Sequence, residues 1–288
     1  MLSRCYHALS SVKAGMCGKS ICIIHSTKVY KIAIWPKCSC LLQRESKMSL
    51  RAAASGIYSE NAVPLELRSP RLAIAERIPV LNDPLTQVLD LLALCNDKLA
   101  VIGRSPREQA CRVLRRYAST LELDSTDAVQ VLNCLTDTDL AFEIPVTFMH
   151  GDFSIRNSGR DSVTRLFDWE WACPDGSILY DWWYLRHWVT WQVQLGFMDE
   201  QINHPIEGFV AKAINTLRIS EAQLMQFGTG MHALYLMAKR KFKGHVQFET
   251  IRHGIERFRE SVEHGRSCSP MTTSSAQRKA VTRSTSSI

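Results

Sequence analysis

Nowhere in the 288 residues do about 18 apolar side chains follow one another uninterrupted, the length a helix needs to cross a bilayer. The nearest approach, Ile21 to Trp35, is broken by His25, Lys28 and Lys31. The chain is therefore expected to be soluble and cytoplasmic, with no membrane partner. Acidic residues are missing from residues 1–44, which hold seven Lys or Arg before the first carboxylate, Glu45. They are missing again from residues 265–288, where four basic residues sit among eleven Ser or Thr. The formal charge of +7 thus belongs to the ends: between them 24 basic residues face 28 acidic ones, a net −4. A nucleic-acid binder would carry its basic stripe on the folded body, so nucleic acid is not an expected partner. The ten cysteines include no C-x-x-C pair, and no histidines stand at ligand spacing near Cys38 and Cys40. That excludes a zinc site and a disulfide scaffold, and leaves reduced, mostly buried thiols. Glycine is sparse where a phosphate loop would need it. Ala14-Gly-Met-Cys-Gly-Lys-Ser20 has two glycines, and a Walker loop would require a third where Lys13 stands.

What is present is a chain 45% hydrophobic, long enough for one large domain or two intimate lobes. Its acid-free start has the composition of a transit peptide. Yet Ser20-Ile-Cys-Ile-Ile24 and Val29-Tyr-Lys-Ile-Ala-Ile34 read as two strands around a short polar turn, for which a presequence has no need. The folded reading is preferred; the alternative is a presequence or misplaced start, with Met48 as the first residue. A helix over Leu41 to Ala54 and two short strands, Ala62 to Leu67 and Leu72 to Val80, complete a strand-rich portion, residues 1–82. From Pro84 the pattern is helical, with Val88, Leu91, Leu92 and Cys95 on one face. Ser105-Pro-Arg-Glu108 is expected to start a helix as a capping box, and a further helix is expected over Thr126–Leu135. Ile144–Met149 and Val163–Phe167 read as a second strand pair around a polar loop. Helices then run to about His264, with a second capping box at Ser220-Glu-Ala-Gln223. Residues 83–264 form the larger, helical portion, and residues 265–288 are expected to be a disordered tail.

The chemistry is concentrated in Met149-His-Gly-Asp-Phe-Ser-Ile-Arg-Asn157, followed by Leu166-Phe-Asp-Trp-Glu-Trp-Ala172. Phosphoryl transfer needs few groups, and these are of the right types. A carboxylate must orient or deprotonate the attacking hydroxyl, and Asp152 is placed for it. Magnesium takes hard oxygen ligands and keeps several waters, so Asn157 with Asp168 suffices. A carboxylate flanked by Phe167 and Trp169 needs a partner, which argues against Asp168 as a chance surface residue. Glu170 reads equally as a group behind the metal or as a solvated strand end. The tryptophans at 169, 171, 182, 183, 188 and 191 read as core, and His187 and His232 carry no signal of their own.

This constellation resembles the aminoglycoside phosphotransferase and choline kinase superfamily, relatives of the protein kinases. The pattern H-G-D-x-x-x-x-N is complete as His150, Gly151, Asp152 and Asn157. The motif D-W-E recurs as Asp168-Trp-Glu170, and Gly176-Ser-Ile-Leu-Tyr-Asp181 looks like the stretch that opens the next helix. The resemblance implies a two-lobed α+β fold, with a small strand-rich nucleotide lobe and a mainly helical catalytic lobe. It implies ATP as phosphoryl donor and Mg2+ as cofactor. It implies Asp152 as catalytic base, Asn157 and Asp168 as metal ligands, His150 as a support of the loop, and Asp181 as its brace from below. A lysine on a strand, paired with a glutamate on the next helix, would hold the nucleotide phosphates. Lys31 and Glu45 fit that order, and Leu72 to Ala75 with Glu76-Arg-Ile-Pro79 looks like the hinge whose backbone holds adenine.

The expected activity is transfer to a hydroxyl of a small-molecule acceptor by a monomer or dimer. The acceptor itself is not readable; Asp199-Glu200 would suit a cation, but such pairs are more often solvated faces. Two rivals are a nucleotide-binding protein that has lost catalysis, favoured by the poor glycine loop, and a metal-dependent hydrolase using His150 and Asp152. The second lacks further histidines at ligand spacing.

Overall fold

The computed structural model describes residues 13–17, 20–34, 36–79, 83–123, 129, 132–133 and 140–243. The expected helix at 126–135 lies largely outside these residues, and so do the last expected helical stretch and the tail. β1 (Lys13–Cys17), β2 (Ser20–His25) and β3 (Lys28–Ala33) form an antiparallel meander. β4 (Leu65–Ser69) and β5 (Leu72–Glu76) extend it to five strands in the order β1-β2-β3-β5-β4. The alternation of apolar residues produces the hairpin of β2 and β3, whose turn is closed by Ser26 at φ 32°.

α1 (Pro36–Ala53) lies across this sheet, and its composition explains how. Cys38 and Leu42 meet Ala33, Leu65 and Ala73 in a small core under the strands. Leu41, Met48 and Ala52 point the other way, into the large core of the helical lobe. The helix is a wedge shared by both lobes, and Arg44 pins it by donating from Nε to the Glu170 carbonyl at 2.6 Å.

α2 (Pro84–Ile102) starts where its cap dictates: the Asp83 carboxylate accepts from the Leu85 and Thr86 amides, and Pro84 fills the first turn. The next helix does not start at the expected capping box. Arg107–Gln109 is a strand (β6) paired with β7 (Glu143–Pro145), and α3 begins only at Ala110 and runs to Thr120. The Glu108 carboxylate meets Arg116 at 2.5 Å instead of closing a box, because pairing with a distant strand overrides the local signal.

The second strand pair is also rearranged. β8 (Thr147–Met149) pairs with β11 (Cys173–Gly176), while β10 (Thr164–Leu166) pairs with β9 (Ser158–Arg160). Two 3-10 turns, Ile155–Asn157 and Trp169–Trp171, lie between these strands. α4 (Ile178–Gln194), a 3-10 turn at Glu200–Ile202, α5 (Asn203–Leu217) and α6 (Glu221–Lys243) complete the described residues. The capping box before α6 is formed as expected: the Gln223 amide donates to Ser220 Oγ at 3.1 Å, and Gln223 Oε1 accepts from the Ser220 amide at 2.8 Å. Five of the six tryptophans read as core are buried, but Trp191 is half exposed at 49%. No described helix is long and apolar enough to cross a membrane.

Candidate active site

Residues expected to act together converge between the sheet and α4. Lys31, on the inner strand β3, reaches Glu45 Oε1 on α1 at 2.5 Å and Asp168 Oδ1 at 3.1 Å. Burial alone would lower the Lys31 pKa, but the charges of Asp168 and Glu45 outweigh it and hold the ammonium well above its usual range. Burial drives the Glu45 carboxyl up, with Lys31 opposing and the like charges of Asp168 and Glu170 adding to the rise. One ammonium thus faces three acids, an excess of negative charge that suits a divalent cation.

Asp168 leaves β10 in the left-handed region, at φ 68° and ψ 58°. Asp tolerates this conformation better than most residues, and strain of this kind persists where the surroundings over-determine it. The Phe167 amide donates to the Asn157 carbonyl at 3.1 Å, so the two candidate metal ligands are brought side by side although the chain between them is folded into a hairpin. Asn157 Nδ2 donates to the Asp152 carbonyl at 2.9 Å, which leaves its amide oxygen for a cation. Among the described residues no three His, Cys, Asp or Glu side chains form a metal cluster. The pair fits magnesium, which completes its shell with water and phosphate oxygens, better than a metal that needs a full protein cage.

The loop bearing Asp152 is clamped from beneath. Buried Asp181, in the first turn of α4, accepts from the His150 and Gly151 amides at 2.8 Å each and from the Tyr58 hydroxyl at 3.2 Å. Burial pushes its carboxyl up to about 7 although these donors pull it down. His150 is fully buried: its Nδ1 accepts from the Asp152 amide at 3.3 Å, so its Nε2 donates to the Phe167 carbonyl at 3.0 Å. Desolvation lowers its pKa, and the neutral ring is a strut between the loop and the strand carrying Asp168. Gly151 sits at φ +85°, where a Cβ would collide with the Trp171 carbonyl.

The Asp152 carboxylate opens toward α4 and α6. Lys239 Nζ lies 4.0 Å from its Oδ2 and 4.4 Å from the centre of the Tyr235 ring. Tyr184 is kept un-ionised first by burial and then by the charge of Asp152, which its hydroxyl faces. Behind them Trp183 stacks on His187 at 4.9 Å, and His232 is driven down to about 3 by burial, then by His187 and Lys239. Sequence reasoning missed Tyr184, Tyr235 and Lys239, since nothing in a helical pattern says which face will meet a loop far earlier in the chain.

Glu170 is buried behind Asp168, on the 3-10 turn that receives Arg44, rather than at a solvated strand end. Glu76 is not drawn in by its side chain: it is exposed on the rim of β5, with Lys28 3.7 Å away. The segment after it lies against β9 of the helical lobe. A Cβ on Gly159 would meet the Pro79 carbonyl at 2.6 Å, and the Arg160 amide donates to that carbonyl at 2.9 Å. Asp199 spends its carboxylate capping the Gln201 amide at 2.8 Å, which is the solvated-face reading.

No protein-family model and no curated protein sequence matches the chain. Solved structures do. The crystal structure of choline kinase LicA from Streptococcus pneumoniae superposes with a TM-score of 0.52 at 14% identity, over 91% of this chain and 97% of that one. The streptomycin–ATP ternary complex of APH(2″)-IIa gives 0.52 at 11% identity, over 90% of this chain and 95% of that one. An aminoglycoside-3′-phosphotransferase of type VIII gives 0.51 at 14% identity, over 80% and 98%. The fold is therefore the two-lobed, kinase-like α+β fold of choline kinases and aminoglycoside phosphotransferases.

Proposed function

We propose that this protein is a small-molecule phosphotransferase, which moves the γ-phosphoryl group of ATP to a hydroxyl of its acceptor. The observation that carries the reading is Lys31 held between Glu45 and Asp168, with the clamped loop of Asp152 beside them. Residues 1–82 would form the nucleotide lobe and residues 83–264 the catalytic and acceptor lobe, with the backbone after Glu76 as the hinge beside adenine. Lys31 binds the nucleotide phosphates, positioned by Glu45. Asp152 accepts the proton of the acceptor hydroxyl; its oxygen bonds to the γ-phosphorus, and the bond from that phosphorus to the bridging oxygen breaks, leaving ADP. His150 and Asp181 keep Asp152 in place without touching the reacting atoms. Asn157 and Asp168 would hold magnesium, whose charge neutralises the phosphate oxygens when it is bound. Glu170 adds negative charge behind Asp168. An inactive nucleotide binder would have no need to retain Asp152, Asn157 and Asp168 together, which disfavours that alternative.

The reading is tested by titrating Mg2+ against ATP binding. Asp168→Ala should abolish the magnesium-dependent part of binding, and Asn157→Ala should weaken it by about tenfold, since an amide supplies a ligand but no charge. Unchanged magnesium dependence in Asp168→Ala would refute the assignment.

A further inference from the structure

Lys239 stands where transfer to a cationic acceptor leaves no room for it. Its side chain is partly buried on the face of α6 that looks at the catalytic loop. The ammonium lies 4.0 Å from Asp152 Oδ2, the outer limit of an ion pair and too far for a hydrogen bond. It also lies 4.4 Å above the Tyr235 ring, so it is suspended between the proposed base and an aromatic face.

Two consequences follow for whatever enters beside Asp152. An acceptor carrying an ammonium would seek an aromatic face there, and the Tyr235 face is already covered by the chain's own cation. It would also seek carboxylates, and among the described residues Asp152 is the one acid in ion-pair contact with Lys239. Two other acids of the helical lobe are engaged elsewhere: Glu207 and Glu221 hold Arg186 at 2.7 and 2.9 Å. The field of Lys239 reaches the aromatic cluster, where it helps to keep His232 neutral after burial and His187.

We infer that the acceptor carries an oxyanion, a carboxylate or a phosphate, near the hydroxyl to be phosphorylated, and that Lys239 binds it. This rests on the phosphotransferase reading and specifies its acceptor class. An arriving oxyanion draws Lys239 away from Asp152 and frees the carboxylate for the hydroxyl proton; an arriving amine meets a like charge instead.

The test uses pairs of hydroxyl compounds that differ chiefly in charge. Galacturonate with galactosamine probes the carboxylate, and glycerol 3-phosphate with 3-aminopropane-1,2-diol probes the phosphate. ADP release is measured with Mg-ATP for the full chain, for Lys239→Glu and for Lys239→Met, and ATP affinity is measured separately. The wild type should favour the anionic member of at least one pair by tenfold or more in kcat/KM. Lys239→Met should flatten that ratio and Lys239→Glu should invert it, with ATP affinity unchanged. A wild-type preference for the amines, or a ratio that survives Lys239→Glu, overturns the inference and leaves the phosphotransferase reading standing. If no probe releases ADP, the same pairs are compared by ligand-observed NMR with nucleotide present, and binding that does not favour the anions overturns it equally. Failure to bind Mg-ATP at all, by contrast, counts against the phosphotransferase reading.

Discussion

Lys31 has two carboxylates within reach, and a bound nucleotide would add phosphate oxygens as competitors for the same ammonium. Glu45 is the more buried of the two partners, with 7% of its side chain exposed against 23% for Asp168, so it is the one able to hold the lysine in place. Lys31→Met is expected to weaken ATP binding and to cut turnover at least tenfold. Glu45→Gln should do the same more mildly, because it only misplaces the lysine. The double variant should fall short of the product of the two, as for residues that act as a unit. Strictly multiplicative losses would show that the pair is not coupled. This part of the site was legible because a lysine alternating with apolar neighbours declares its side of a sheet. The contact of Lys31 with Asp168 was not, since the two lie on different lobes. Nor was that of Lys239 with Asp152, for nothing in the sequence of a helix says what it will pack against.

At the scale of elements, the loop bearing Asp152 is a backbone held by one buried carboxylate, Asp181. Its geometry requires Gly151, where φ is +85° and a side chain would strike the Trp171 carbonyl. Gly151→Ala should therefore cost turnover by orders of magnitude while the protein stays folded, and ATP binding should fall far less. Differential scanning calorimetry alongside ADP release would check this; full activity in the variant would mean that the loop is less constrained than its contacts imply. The hairpin of β2 and β3, α1, α2 and the box before α6 were readable from periodicity and caps, because local signal and tertiary context agree there. Ser105 to Glu108 was not: the segment carries every mark of a helix start but is claimed by β7. The partner of β8 was hidden as well, because Cys173-Pro-Asp-Gly176 has the composition of a turn and becomes a strand only through Met149 and Thr147.

At the scale of the molecule, two cores meet across α1, one beneath the five-stranded sheet and one filling the helical lobe. The site lies where they join, so a nucleotide held by Lys31 would be presented to Asp152 from the opposite side of the cleft. The overall two-lobed architecture was implied by three short motifs, and the solved structures share it at 11 to 14% identity. Phosphoryl transfer through Asp152 is what this arrangement would accomplish. Its most direct test follows the label of γ-labelled ATP, incubated with magnesium and the hydroxyl compounds above, into the small-molecule fraction. The wild type should move label onto an acceptor, and Asp152→Asn should lower that rate by about a thousandfold or more with ATP affinity intact. Label transfer at an undiminished rate in Asp152→Asn would contradict the account.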